Sequence, residues 1–455
     1  MKILFMIAIF LLNVGFAFSV NAENAVHHYT LENGLQVLVK VDRRSPMVVS
    51  QIWYRVGASD ELTGQTGLSH MLEHLMFKGT TRYGPGEYSR LLSENGATEN
   101  AFTSYDYTAY YAELENSRLA LHFELEADRM QNLLLLEEEL MKERQVILEE
   151  RSQRVDDNPT AAFSERLKAT ALMTSPYRDP IIGWRSDIEQ YQRADLLLWY
   201  QHWYAPNHAT LVVVGDVQPE EVHELAVRYF GDIPATNDTP LTLKKRDELS
   251  QRGKKQMTVK LPAKMPVLSL LYQVPSLVVI EESKDWEIYA LILLANILDG
   301  NDSSRLPKSL VRGQEIATYV SVNYDPLNRY HTLFNISAAP TEKYSVFDLE
   351  KAIAQEINRL HNELVSTEEL NRVKTQLRAQ EIYSQDSLFY QAMRLGMIHN
   401  AGLNWQLLDT YLARIAEITP EQIQSVALRY LQDDLLTVGY LEPQAMASTT
   451  STVGE

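Results

Sequence analysis

The sequence of 455 residues contains no cysteine. This absence excludes disulfides, thiolate nucleophiles, iron–sulfur clusters and zinc sites built on cysteine. The chain also lacks an excess of cationic residues, because its net charge is −18. Such a charge argues against a nucleic-acid partner, whose phosphates would be repelled, and is compatible with basic or neutral peptide partners. Any metal ion in this protein must therefore be held by histidine, aspartate or glutamate.

Long apolar runs are absent except at the N-terminus. Residues 1–22 read MKILFMIAIFLLNVGFAFSVNA, with Lys2, an uncharged apolar run, and small residues at Val20 and Ala22. This pattern predicts a secretory signal peptide that is cut after Ala22; the alternative is an uncleaved membrane anchor. Export without disulfides suits a bacterial periplasm. We expect a periplasmic, soluble protein with no stable membrane insertion after cleavage.

The remaining chain alternates between patterns typical of strands and of helices. Residues 29–41 contain Asn33-Gly34 between β-rich runs, which predicts a hairpin. Helical periodicity covers residues 66–78 and about 134–155, and residues 209–217 resemble a buried strand. The chain is therefore expected to mix helices and strands throughout.

A weak internal repeat indicates that the chain is duplicated. Gly215 lies in WYAPNHATLVVVGDVQP and Gly439 lies in LRYLQDDLLTVGYLEP, each after a helical stretch. A polar, locally basic segment with two prolines separates the halves and is typical of a linker. The predicted organisation begins with a signal peptide (1–22) and a catalytic domain (23–234). A linker (235–256), a homologous, catalytically silent second domain (257–443) and a disordered tail (444–455) follow.

The segment Ser69–His74, SHMLEH, is the strongest candidate for chemistry. On a helix, His70, Glu73 and His74 share one face. The opposite face gathers apolar side chains, namely Leu68, Met71, Leu72, Leu75 and Met76. Two histidines one turn apart have the spacing needed to share one zinc ion, and Glu73 could then take a proton from a water molecule. The alternative is an ordinary polar helix face.

A catalytic zinc site usually has three protein ligands, so a third is required beyond the two histidines. The best candidate region is LLEEELMKERQVILEER, a helical segment about 70 residues further along. Glu143 and Glu150 share a face of this segment. The pattern alone leaves several candidates open, namely Glu139, Glu143, Glu149 and Glu150.

These segments resemble the pitrilysin family, which includes insulin-degrading enzymes and mitochondrial processing peptidases. The family signature is an inverted zinc motif, H-x-x-E-H, followed by a glutamate ligand within an E-R-x-x-V-x-x-E segment. His70, Glu73 and His74 match the first part, and residues 143–150, ERQVILEE, resemble the second. The resemblance implies that the two histidines and Glu150 bind one zinc ion per chain.

The second part of the signature departs from the family pattern at one position. Val146 lies one residue early, and Ile147 occupies the usual valine site. The resemblance nevertheless distinguishes among the glutamates of this segment. It implies that Glu150 is the third ligand, that Glu143 is an acidic residue behind the ligands, and that Glu73 is the general base.

A further match implies a substrate-binding strand. Residues 99–108, ENAFTSYDYT, resemble the family's N-A-x-T-S-x-D-x-T strand, which offers its edge to an extended peptide. Without the resemblance, the segment is simply a β-rich strand with threonine and tyrosine on its faces. The residues expected to bind substrate are Asn100, Ala101, Phe102 and Thr103.

The second half lacks H-x-x-E-H, as expected for the family's catalytically silent domain. Residues 299–306 resemble the family's glycine-rich turn, and Arg312 and Tyr319 resemble its Arg/Tyr pair. In relatives this pair binds substrate and stabilises the developing oxyanion. The implied fold is α+β, with two tandem homologous domains of LuxS/pitrilysin type, each a mostly antiparallel sheet packed with helices.

Together these features predict a zinc-dependent endopeptidase that cleaves unfolded peptides or small polypeptides. Relatives of this size generally form dimers that close around the peptide. Because this chain holds both the zinc motif and the Arg/Tyr pair, we expect a homodimer; a heterodimer with a related chain is the alternative. A second hypothesis for the function is a non-catalytic or assembly subunit of a heterodimeric peptidase complex.

Overall fold

A computed structural model describes residues 25–236 and 248–444. The predicted signal peptide, half of the predicted linker and nearly all of the predicted tail lie outside these residues. Among the described residues, none of the helices combines the length and the hydropathy that a membrane span requires. The fold is α+β, as predicted, with two sheets packed against helices.

The strands form one sheet in each half of the chain. The first sheet contains β1 (Val26–Thr30), β2 (Gln36–Val41), β3 (Met47–Tyr54), β4 (Thr98–Thr103), β5 (Thr108–Glu115) and β6 (Ala209–Gly215). The second sheet contains β7 (Lys255–Leu261), β8 (Val267–Val274), β9 (Ala317–Asn323), β10 (Thr332–Pro340) and β11 (Leu436–Pro443).

The helices are distributed over both halves. In the first half they are α1 (Leu68–Leu75), α2 (Glu87–Glu94), α3 (Leu119–Asn132), α4 (Glu137–Arg151), α5 (Pro159–Ala171), α6 (Arg185–Ile188), α7 (Arg193–Trp203) and α8 (Pro219–Phe230). In the second half they are α9 (Trp286–Asp299), α10 (Val346–Asn362), α11 (Thr367–Ser384), α12 (Leu388–Asn400), α13 (Leu407–Glu417) and α14 (Pro420–Tyr430).

Five strands follow the same order in the two sheets, and β1 is an additional edge strand of the first sheet; this shared order confirms the predicted duplication. Their strand orders are β1-β2-β6-β3-β5-β4 and β7-β11-β8-β10-β9. In each sheet one pair is parallel, β2 with β6 and β7 with β11, and the other pairs are antiparallel. Gly215 and Gly439, the glycines of the sequence repeat, lie in the equivalent strands β6 and β11. The domain limits themselves stay a prediction.

Local sequence patterns predicted several elements correctly. The Asn33-Gly34 hairpin is confirmed, because β1 and β2 pair in antiparallel register on either side of it. The two predicted helices are confirmed as α1 and α4, both somewhat shorter than expected. The predicted strand is β6, which is buried on both faces.

One expectation about the substrate segment was wrong. Residues 99–108 do not form a single strand, because β4 ends at Thr103 and β5 begins at Thr108. The Ser104 N–H donates to the Tyr107 carbonyl at 2.8 Å and closes a turn between them. The residues expected to bind a peptide, 100–103, still lie in β4, which is an edge strand.

Each half contributes one helix to the outer face of the other half's sheet. Helix α12 packs Ala392 and Leu395 against Trp53 of the first sheet. Helix α5 packs Phe163 and Leu167 against the second sheet. Because apolar faces of both sheets are buried by these exchanged helices, the two halves interlock.

Candidate metal site

Helix α1 is fixed by an apolar face and by a polar contact at its start. Leu68, Met71, Leu72 and Leu75 are buried in the main core of the first half. Glu61, which is itself buried, accepts hydrogen bonds from the backbone N–H groups of Gly67 and Ser69 at 2.6 and 2.7 Å. Gly67 has φ = +88°, a conformation that favours glycine. The polar face of α1 is therefore directed outward from the core.

Helix α4 brings a glutamate to this polar face. Leu140 and Ile147 of α4 are buried in the same core as α1. Glu150 Oε2 consequently lies 3.7 Å from His70 Nε2 and 3.6 Å from His74 Nε2. One atom from each of these three residues lies within 4.8 Å of the others. Among residues 25–236 and 248–444, no other histidine and carboxylate residues form such a group.

The donor set and its spacing fit one zinc ion. Two ligand atoms, each about 2.0–2.1 Å from a tetrahedral zinc, lie about 3.4 Å apart. The measured separations of 3.6 and 3.7 Å are close to that value. Two imidazole nitrogens and one carboxylate oxygen also leave the fourth position open, as in catalytic zinc sites.

Glu143 lies behind His74 and orients its ring. The Glu143 carboxylate is 3.0 Å from His74 Nδ1 and 2.7 Å from the ammonium of Lys78. Burial alone would lower the pKa of His74, but its contacts with Glu143 and Glu150 raise it to about 9. A carboxylate on the far nitrogen of a histidine is the usual support for a metal ligand, since it leaves the other nitrogen directed at the metal.

The other two candidate ligands have different surroundings. Burial and the neighbouring His74 lower the pKa of His70 to about 4, which leaves its imidazole neutral at ordinary pH. Its Nδ1 is buried without a hydrogen-bond partner among the described residues. The hydrogen bond with His74 lowers the pKa of Glu150, and Arg154 forms an ion pair with it at 2.7 Å.

Glu73 lies next to strand β4. The hydroxyl of Thr103 donates a hydrogen bond to Glu73 Oε2 at 2.5 Å. Burial raises the pKa of Glu73, although this hydrogen bond opposes the change. A carboxylate with a raised pKa accepts a proton more readily than an ordinary surface glutamate. The contact links the candidate base to the candidate substrate strand.

These side chains open into a cavity of about 750 Å³. Its wall includes His70, Glu73, His74, Glu150 and all four predicted substrate residues, Asn100, Ala101, Phe102 and Thr103. Strand β4 pairs with β5 on one side and forms the end of the sheet on the other. An unpaired strand edge beside the metal site is suited to pairing with an extended peptide.

Arg312 and Tyr319 are not part of this cavity wall. Arg312 is exposed in a short π-helical turn, Pro307–Gly313, and Tyr319 is 37% exposed on β9. Strand β9 is the edge strand of the second sheet, equivalent to β4 in the first. The structure therefore brings together all the predicted site residues of the first half, namely His70, Glu73, His74, Asn100, Ala101, Phe102, Thr103, Glu143 and Glu150. It leaves Arg312 and Tyr319 apart from them.

Two contributors to the site were not predicted from the sequence. Glu61 is a single glutamate in a loop, and no periodic pattern connects it with α1. Lys78 lies at the end of the helical pattern and would ordinarily be assigned to the solvent. Glu61 contacts the start of α1, and Lys78 contacts Glu143, only in the folded chain. Neither contact could be predicted from the sequence.

The fold and the site define a metallopeptidase architecture built from two duplicated α+β domains. Family comparison agrees with this architecture in both halves. Residues 36–184 match the model described as Insulinase (Peptidase family M16), and residues 190–377 match the model described as Peptidase M16 inactive domain. The chain belongs to the pitrilysin/insulinase family of zinc peptidases.

Individual relatives extend this agreement over nearly the whole chain. The zinc protease PqqE of Helicobacter pylori is 29% identical over 91% of this chain and 92% of its own length. The crystal structure of a protease from Helicobacter pylori has a TM-score of 0.87 and 27% identity, covering 92% of this chain and all of that one. A peptidase M16 inactive domain from Pseudomonas fluorescens, at 17% identity over 93% of this chain and 99% of its own, shares the fold with a TM-score of 0.81.

Proposed function

We propose that this protein is a zinc-dependent endopeptidase that cleaves unfolded peptides or small polypeptides in the periplasm. The observation that carries the proposal is the convergence of His70, His74 and Glu150 with Glu73 beside the edge of β4. Relatives over most of the chain are named zinc proteases, which supports the choice of metal. The predicted signal peptide supports the location.

Three residues of the first half hold the zinc ion, one ion per chain. His70 and His74 supply imidazole nitrogens, Glu150 supplies a carboxylate oxygen, and Glu143 fixes the ring of His74. When bound, zinc acts as a Lewis acid that polarises a peptide carbonyl and increases the acidity of water.

Glu73 is the proton carrier in the proposed mechanism. It takes a proton from the attacking water and passes it to the amine that leaves. Burial, which raises its pKa, favours the first step, because the carboxylate accepts the proton more readily. Transfer to the leaving amine follows because the amine is the stronger base. The Thr103 hydroxyl keeps the carboxylate at the strand edge where the peptide bond is presented.

The peptide binds as an added strand along β4. Backbone hydrogen bonds to residues 100–103 would hold any extended segment, and cavity-lining side chains such as Phe102 contact alternate side chains of the substrate. A segment bound in this way must be extended over several residues. This geometry favours unfolded peptides as substrates.

The Arg/Tyr pair acts on substrate held by another copy of the chain. Arg312 and Tyr319 are exposed and lie outside the cavity of their own chain, which supports a homodimer. Mixing a Glu73→Gln variant with a Tyr319→Phe variant tests this arrangement. Restored turnover in the mixture means that the pair acts between chains, whereas two inactive proteins that stay inactive when mixed mean that it acts within one chain.

The proposed function is tested on purified protein by its zinc content, its size in solution and its turnover of a quenched fluorescent peptide. We expect about one zinc ion per chain, and loss of turnover in the presence of a chelator that is reversed by added zinc. A protein that binds no zinc, or that binds zinc and cleaves no peptide, would favour the alternative of a non-catalytic subunit. Profiling a peptide library then separates specific processing from broad degradation.

A further inference from the structure

We infer that Lys168 forms a binding site for a carboxylate of the substrate, where the active-site cavity meets a second cavity between the two halves. The inference rests on the proposed peptidase function and concerns the class of substrate that the site prefers. A substrate with an aspartate or glutamate side chain, or a free C-terminal carboxylate, near the bond to be cleaved would make this contact.

Lys168 is a half-buried cation without an ion-pair partner. It lies on α5, the helix that crosses from the first half onto the second sheet. Its ammonium is 3.9 Å from the centre of the Tyr105 ring. Among the described residues no carboxylate lies close enough to form an ion pair with it, although most cations this shielded from water have one.

The carboxylates that act electrostatically on Lys168, Asp106 and Asp325, have hydrogen-bond partners of their own and form no ion pair with it. Asp106 accepts hydrogen bonds from the Ser59 hydroxyl at 2.7 Å and from the backbone N–H of Arg329 at 3.0 Å. Asp325 accepts a hydrogen bond from the Leu327 N–H at 2.9 Å. Burial lowers the pKa of Lys168 to about 8, with these two carboxylates opposing the change, so the ammonium is still mostly charged at neutral pH.

The ammonium is reachable from the proposed active site. The cavity of about 750 Å³ at the metal site and a cavity of about 390 Å³ share Tyr105, Ser164 and Lys168 in their walls. The far wall of the second cavity comes from the other half of the chain. Its polar residues are Ser269, Asn323, Asp325, Asn328, Thr332 and Asn335.

The contact of Lys168 with Tyr105 limits where along the peptide the carboxylate lies. Tyr105 lies in the turn that follows Thr103, the residue in contact with Glu73. At about 3.3 Å per residue, a peptide on the edge of β4 passes from Glu73 to Tyr105 within roughly two to four residues. The preferred carboxylate therefore lies about that far from the bond that is cleaved.

A carboxylate is the chemistry that fits this lysine. An ammonium withdrawn from water loses hydration that only an anionic or strongly polar partner restores. A charge-assisted hydrogen bond in a partly enclosed site is stronger than one between neutral groups. The cation also contacts a tyrosine face, which leaves the remaining N–H groups free to donate to an incoming carboxylate.

The test measures binding and not turnover. Zinc-loaded protein with Glu73→Gln is titrated into pairs of short fluorescein-labelled peptides. The two peptides of a pair differ at a single position, which is aspartate in one and asparagine in the other, and each pair tests a different position. A second series compares a free with an amidated C-terminus. We expect the acid to bind about tenfold more tightly than its amide at one register or at the C-terminus, which distinguishes the two sources of the carboxylate.

Adding Lys168→Met to the same protein should reduce that ratio to about one, and Lys168→Arg should keep most of it. Arg166→Met is the matched control, because Arg166 lies on the same helix but is exposed and outside both cavities. Its ratio should equal that of the parent protein. Thermal melting identifies an unfolded variant, and Lys168→Gln then replaces the methionine variant.

Three results would overturn the inference: equal affinity for acid and amide peptides throughout, a preference that survives Lys168→Met, or a preference that Arg166→Met removes equally. Failure of the proposed function looks different. In that case the protein with Glu73 intact cleaves none of these peptides, whatever the ratio of affinities.

Discussion

The two halves of this protein share the order of five sheet strands, and they differ most clearly in one helix. Helix α1 follows the central strand β3 and carries His70, Glu73 and His74 on its outer face. Helix α9 follows the equivalent strand β8 and is apolar almost throughout, with Leu291 and Leu294 fully buried. A metal site therefore needs only three polar positions on an otherwise ordinary core helix, together with one glutamate from a neighbouring helix.

The difference also extends to the edge strands. In the first half β4 borders the metal site, and in the second half β9 presents Tyr319 to solvent. The two equivalent edge strands thus have different surroundings, because one borders the candidate metal site and the other presents a tyrosine to solvent. The following predictions test this difference between the halves from the largest expected effect to the smallest.

Removal of a ligand in the first half should have the largest effect. His70→Ala and His74→Ala should each lose the bound zinc, and turnover should fall at least about a thousandfold, because several kcal/mol of transition-state stabilisation are lost. Zinc content and peptide turnover are measured together. His361→Ala is the control in the second half, since His361 contacts a backbone carbonyl of that half at 3.1 Å. Normal zinc content in either ligand variant would contradict the assigned ligand set.

Substitution of Glu143, which contacts the ligand His74, should have the next largest effect. Glu143→Gln should weaken zinc binding about 10–100-fold, because the carboxylate that orients His74 is replaced by a neutral amide. Competition with a chelator of known affinity measures the change. Glu137→Gln, at the exposed start of the same helix, should leave zinc affinity unchanged. Equal affinities for the two variants would show that Glu143 has no role behind His74.

The polar contact at the start of α1 should make stability depend on pH. Burial raises the pKa of Glu61 to about 8 from 4.5, so the folded chain binds a proton that the unfolded chain has lost. Its contribution to stability is therefore greatest below pH 4.5 and declines as the pH rises to about 8. Glu61→Gln removes the titrating carboxyl, so the stability of the variant should not show this pH dependence. Its NH2 group cannot accept the second backbone hydrogen bond, which should lower the free energy of unfolding by about 1–3 kcal/mol.

Urea unfolding at several pH values measures this effect, with Glu32→Gln as an exposed control. Parallel stability curves for the native protein and Glu61→Gln would refute the titration of Glu61. In the second half, the start of α9 instead holds the buried Glu287, which pairs with Arg429 and accepts a hydrogen bond from the Tyr430 hydroxyl.

The exchanged helices should show the smallest effects. A Cβ atom at Gly396 of α12 would overlap the indole of Trp53, which is fully buried. A Cβ atom at Gly439 of β11 would overlap Leu167 and Phe163 of α5. Each alanine substitution should lower the free energy of unfolding by about 1–3 kcal/mol. Gly396→Ala should have the larger effect, because a buried indole cannot move aside. Unchanged urea midpoints would contradict the close packing of these helices.

The sequence was most informative where the signal is local. The helix α1 and its two faces follow from the spacing of nine consecutive residues, 68–76, and the hairpin at Asn33-Gly34 follows from a turn signal. The duplication was visible because one strand and its glycine recur in each half. Each of these features depends on residues that are neighbours in the chain or on a repeat of such a segment.

The sequence was less informative where a contact joins distant residues. Local pattern could not separate Glu150 from Glu139, Glu143 and Glu149, because the choice depends on how α4 is rotated against α1. Only the family resemblance selected Glu150, and its distances to both histidines agree with that choice. The exchange of α5 and α12 between the sheets was not predicted, since no local rule indicates which sheet a helix will cover.

The central claim is that the first half is a zinc peptidase site with Glu73 as its proton carrier. Glu73→Gln tests it most directly, with zinc content and peptide turnover measured on the same preparation. We predict unchanged zinc content and turnover reduced about 10²–10⁴-fold, as expected when a general acid–base is removed. Turnover at the native rate with zinc still bound would contradict the account.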